Sequence, residues 1–145
     1  MEHGWVLASA EWGSLAHCVL GLRWKRVRFR ALDRDSVPAS PGVYALCGRP
    51  PLQIRDSLIR GLYDVFYIGR SDNLRERFLQ HLTYPKEEIR RITECFGPPD
   101  DLSYWLVTVS AEQSRPLEAL LIRCFRPPAN RIRGIQARLG PPVPA

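Results

Sequence analysis

The chain has 145 residues, 45% of them hydrophobic, which allows one hydrophobic core and is too short for two ordinary domains. A formal charge of +6 and a pI near 9.5 point to an anionic partner, either nucleic acid or a membrane surface. The four cysteines, Cys18, Cys47, Cys95 and Cys124, are scattered without CxxC or Cys/His spacing, which argues against a zinc module and fits a reducing, cytoplasmic setting.

From the N-terminus, the run from Trp5 to Leu22 is fairly apolar, but Glu11, His17 and glycines interrupt it, so no membrane segment is expected. Between Trp24 and Ala31 the residues Val27, Phe29 and Ala31 alternate with Arg26, Arg28 and Arg30. That period of two is the pattern of a half-buried strand with a row of arginines on one face. The row either follows a phosphate backbone or blunts an edge strand with charge, and the pattern leaves both open.

Pro38 to Gly42 reads as a turn leading into the apolar run Val43 to Cys47. A second run, Val65 to Ile68, ends at Gly69, and a third spans Tyr104 to Val109. All three are expected as strands. Leu74, Phe78 and Leu82 recur every four residues behind a Ser71 or Asp72 cap, which predicts a helix from Asp72 to Leu82. A second helix is expected from Lys86 to Cys95 after Pro85, and a third from Ser114 to about Phe125, stopped by Pro127 and Pro128.

The expected fold is α/β of the α+β type, a small mixed or antiparallel three-stranded sheet flanked by helices, because too few strand-helix-strand units exist for a doubly wound sheet. Residues 1–36 would form a basic N-terminal extension, 37–133 the main domain and 134–145 a flexible proline-rich tail.

Several side chains point to chemistry. Gly69 would let the chain turn sharply after its strand, placing Tyr67 and Arg70 at a strand-to-helix corner. Arg77 and His81 lie one turn apart on a helix, beside the apolar stripe, where they suit an anion or merely flank an amphipathic helix. Glu118 stands among residues that favour burial, where a carboxylate is costly unless paired or metal-bound; alternatively, the helix N-terminus stabilises it.

Together these residues resemble a known family. Gly42-Val43-Tyr44 matches the GIY element and Tyr67-Ile68-Gly69 the YIG element of GIY-YIG endonuclease domains, and the resemblance runs from about Val37 to Asn130. Asn73 and Leu74 follow as in that family, with Arg77 ten residues after Tyr67, His81 fourteen after it, and Asn130 twelve after Glu118. Departures are Val43 for Ile and Arg70 for the Lys of many members. The insertion from Cys47 to Tyr63, with Arg49, Arg55 and Arg60, is longer than a plain hairpin.

The resemblance implies DNA phosphodiester hydrolysis with Tyr44, Tyr67, Arg70, Arg77, His81, Glu118 and Asn130 as the catalytic set. One Mg²⁺ or Mn²⁺ per site would be held by Glu118, and one strand cut per event. Tyr44 would be the base, directly or through Tyr67, with Arg70 and Arg77 steadying its phenolate, or else His81 takes the proton. Asn130 would organise the site from behind or satisfy helix-end carbonyls. Arg26, Arg28, Arg30, Arg70 and Arg75 would contact single- or double-stranded DNA, by a monomer or homodimer. The competing expectation is a catalytically silent nucleic-acid-binding accessory domain.

Overall fold

A computed structural model describes residues 13, 17, 21–48, 64–95, 102–127 and 129–130. Most of the apolar N-terminal run, the insertion arginines Arg49, Arg55 and Arg60, and the proline-rich tail lie outside the described residues.

An antiparallel sheet of strands β1 (Lys25–Arg28), β2 (Gly42–Gly48), β3 (Asp64–Ser71) and β4 (Ser103–Thr108) runs in the order β1-β4-β2-β3. Helices α1 (Leu74–Thr83) and α2 (Glu87–Cys95) pack on one face and α3 (Ala111–Phe125) on the other. The sheet has four strands where three were expected, because the arginine-alternating stretch pairs with β4, Val27 opposite Tyr104. Val27 and Phe29 turn inward as the alternation requires. The strand stops at Arg28, short of Ala31, as the chain bends into a 3-10 helix (Ala31–Ser36) braced by the Arg30–Asp33 ion pair.

Central β2 is buried along its whole length. Val43, Ala45 and Cys47 face α3, while Tyr44 and Leu46 face α1, which explains its continuous apolar run. Strand β3 does not end at Gly69 but continues to Ser71, with Gly69 opposite Tyr44. A bulge interrupts this pairing: Leu46 pairs with Tyr67 but the next residue, Cys47, pairs with Val65, leaving Phe66 as the extra residue. Without the bulge, Tyr67 would share the α3-facing side with Val65; the added residue turns it toward α1.

Helix α1 is capped by Asn73 rather than Ser71 or Asp72, its side chain accepting from the Glu76 N–H at 3.1 Å. Ser71 instead braces the turn through its hydroxyl, 3.0 Å from the Asn73 nitrogen. Helix α3 begins before Ser114, because Ser110 supplies the N-cap, accepting from the Gln113 N–H at 3.2 Å. Pro116 therefore lies inside the helix, and Glu118 lies well past the first turn. The N-terminal dipole, which fades within that turn, does not account for this acid.

Candidate active site

The bulge and the β2–β3 register bring Tyr44 and Tyr67 to one side of the sheet, beneath His81 of α1. The Tyr44 hydroxyl lies 2.6 Å from Nε2 of His81, both residues being buried. Ring centroids of Tyr44 and Tyr67 are 6.1 Å apart, and Tyr67 and His81 meet edge-on at 5.6 Å. Behind them Tyr104 stacks on Tyr44 at 5.0 Å and 13° between planes, fixing the ring from the core side.

The two motif glycines are needed for space. A β-carbon on Gly69 would run into the Tyr44 ring, 2.6 Å from Cζ, and one on Gly42 would strike the Val107 carbonyl and come within 2.7 Å of Leu74 Cδ1. Gly69 therefore serves close approach of a ring rather than a sharp turn.

Burial dominates the electrostatics here. It pushes the Tyr44 phenol well above its ordinary value, with Tyr67 and Tyr104 adding to the rise and Arg77 opposing it. It also lowers His81 to about 4, helped by the positive charges of Arg77 and Lys86. At neutral pH the pair is a neutral phenol against a neutral imidazole. The expected phenolate at Tyr44 is disfavoured, because desolvation outweighs the half-buried Arg77.

Arg70 is on the opposite face of β3 from Tyr67 and Gly69. Its Nε donates to the Ser114 hydroxyl of α3 at 2.8 Å and its Nη2 pairs with Asp72 at 2.8 Å. Half-buried Glu118, also on α3, has its pKa raised by burial, opposed by the Arg70 charge, by a hydrogen bond from the Arg70 backbone N–H and by Lys86. The expected constellation is thus split over the two faces of β3: Tyr44, Tyr67, Arg77 and His81 on one, Arg70 and Glu118 on the other.

Asn130 holds this edge strand in place. Its Oδ1 accepts from the Ile68 N–H and its Nδ2 donates to the Ile68 carbonyl, both at 2.8 Å. The bonds go to backbone between Tyr67 and Gly69 rather than to a tyrosine hydroxyl or a helix-end carbonyl, closing the open edge of the sheet there.

Among the described residues no three His, Cys, Asp or Glu side chains cluster to hold a metal ion. A single carboxylate fits an ion that keeps most of its waters and takes its remaining ligands from phosphate oxygens, which is the habit of Mg²⁺. Of the other arginines proposed to meet nucleic acid, Arg26 and Arg28 are exposed on β1, Arg30 pairs with Asp33, and Arg75 Nε donates to the Val37 carbonyl at 2.7 Å. Lys86 was not singled out by sequence, although a lysine directly before a helix with Glu87 and Glu88 in its first turn breaks the usual charge order. Sequence pattern marks Ser114 only as a helix start and Tyr104 only as a strand residue.

Among the described residues no helix is long and apolar enough to cross a membrane. No protein-family model and no curated protein matches the chain. Among solved structures, it is similar to the GIY-YIG N-terminal endonuclease domain of UvrC from Thermotoga maritima. A point mutant bound to the catalytic divalent cation aligns at 24% identity and TM-score 0.47, covering 70% of this chain and 97% of that one. The magnesium-bound form aligns at 26% identity and TM-score 0.45, covering 65% and 86%.

Proposed function

We propose that this chain is a GIY-YIG nuclease that hydrolyses DNA phosphodiesters in a divalent-metal-dependent reaction, one strand per event. The observation that carries the reading is the gathering, around a single edge strand, of the residues whose spacing resembles that family. Tyr44, Tyr67, Arg77 and His81 lie on one face of β3, Arg70 and Glu118 on the other, and Asn130 grips its edge.

In this reading Glu118 holds one Mg²⁺, which when bound steadies the leaving oxygen and the scissile phosphate. Arg77, permanently charged, binds the phosphoryl oxygens as negative charge builds on them. Tyr67 is half-buried and its ring lies against that of Tyr44, which in turn contacts His81, so the three form a path from the site's rim into the interior. The proton of the attacking water passes along that path to His81 Nε2, and Tyr44 stays neutral throughout. An anionic phosphate offsets the Arg77 and Lys86 charges that lower His81, which makes the imidazole a better acceptor when substrate is bound. Arg70 and Asn130 position the strand, and Arg26 and Arg28 extend the contact along the phosphate backbone. The reading places the protein in the cytoplasm, as a monomer or homodimer.

Glu118→Ala tests it. The variant is expected to lose Mg²⁺-dependent nicking of supercoiled DNA while binding DNA nearly as well as the parent. Undiminished cleavage would remove Glu118 from the chemistry, and a parent protein that binds but never cuts would leave a binding module in place of an enzyme.

A further inference from the structure

Lys86 lies just outside the residues brought together by motif spacing. It directly precedes α2, its carbonyl accepting the Arg90 N–H at 2.9 Å, so its ammonium is carried at the positive end of a helix dipole. Local chemistry favours an acid or a hydroxyl there, as Glu87 and Glu88 in the first turn illustrate. The chain uses arginine for most of its positive charge, and Lys25 and Lys86 are its only lysines. A compact ammonium held against local preference points to use elsewhere.

Its direction is plain in the structure. Lys86 Nζ lies 3.3 Å from the Tyr67 hydroxyl and 5.8 Å from the centre of the Tyr67 ring. Tyr67 is the residue that the β-bulge turns toward His81, and it forms the outer end of the Tyr67–Tyr44–His81 path. Lys86 itself is exposed, so its ammonium, which donates to the Tyr67 hydroxyl oxygen, stands at the rim with further N–H donors open to an incoming anion.

We propose that Lys86 contacts the substrate, its ammonium binding a non-bridging oxygen of the scissile phosphodiester beside the Tyr67 hydroxyl. The assignment rests on the nuclease reading for the identity of that anion. Its charge reaches both halves of the site, since it lowers the pKa of His81 on one side of β3 and of Glu118 on the other. Arg70 acts on Glu118, and Arg77 on Tyr44, Tyr104 and His81, so among the described residues Lys86 is the cation whose influence spans the two faces.

The experiment compares the full chain with Lys86→Met and Lys86→Arg. Steady-state cleavage of a duplex with Mg²⁺ is measured beside the salt dependence of duplex affinity in Ca²⁺. Lys86→Met is expected to lose at least about tenfold in kcat with a smaller change in KM, and Lys86→Arg to recover most of it. The slope of log affinity against log salt should fall by about 0.9 in Lys86→Met, the mark of one lost phosphate contact. Thermal unfolding should be unchanged in both variants, because the side chain is exposed. A Lys86→Met protein with parental kcat and parental salt slope overturns the assignment, as does Lys86→Arg failing as fully as Lys86→Met. If the parent itself does not cut, the nuclease reading fails separately, and the salt slope alone decides whether Lys86 holds a phosphate.

Discussion

Tyr44 and Gly69 face each other across the β2–β3 ladder, and the missing side chain of Gly69 is what leaves room for the Tyr44 ring. The glycine of one motif is therefore a steric condition on the tyrosine of the other. Gly69→Ala should displace that ring and cost about 1–3 kcal/mol, the usual penalty for overpacking an interior, read as a lower urea midpoint at unchanged slope. Cleavage should fall with it, because the shift breaks the 2.6 Å contact to His81. A parental midpoint and parental activity would contradict the steric role.

His81 gives the protein a defined acid sensitivity. Its folded pKa is about 4 against an ordinary 6.5, so between these values the unfolded chain binds a proton that the folded protein does not. Stability contributed by neutral His81 is thus complete above pH 6.5 and is lost as pH falls toward 4, by at most about 3 kcal/mol. Urea unfolding at pH 7, 6, 5 and 4 should show this slope, and His81→Phe should flatten it. NMR titration of the imidazole near 6.5 in the folded protein would contradict burial as the cause.

Asn130 predicts an unusual order of variants. Asn130→Ala removes two hydrogen bonds to Ile68 and should cost about 1–2 kcal/mol. Asn130→Asp keeps an acceptor for the Ile68 N–H but sets a second anionic oxygen against the Ile68 carbonyl. It should be less stable than Asn130→Ala at neutral pH, despite being closer in shape, and should recover as acid protonates the carboxyl. Measured unfolding midpoints decide it; an aspartate variant more stable than the alanine variant at pH 7 would mean that the carbonyl contact carries no weight.

Much of the architecture was written in local pattern. The apolar run of β2, the four-residue recurrence of Leu74 and Phe78, and the alternation of Val27 and Phe29 with arginines each reflect a single element's burial, which periodicity reports directly. The motif spacing also groups Tyr44, Tyr67, Arg77, His81, Glu118 and Asn130 as candidates without any tertiary information. Element ends were less legible. The start of α3 depends on which of two serines caps it, and the fourth strand on whether β4 leaves an edge open to pairing.

Other features belong to the tertiary structure alone. The bulge that turns Tyr67 to the His81 side arises from pairing between strands separated by an insertion, and no local signal marks Phe66 as the extra residue. The division of the site over two faces of β3 follows from that register and from which helix covers each face. The neutral state of the Tyr44–His81 pair is likewise decided by burial, a property of packing. Sequence spacing groups the candidate residues; the depth at which the fold sets them decides which carry charge at neutral pH, because burial raises the cost of the charged form.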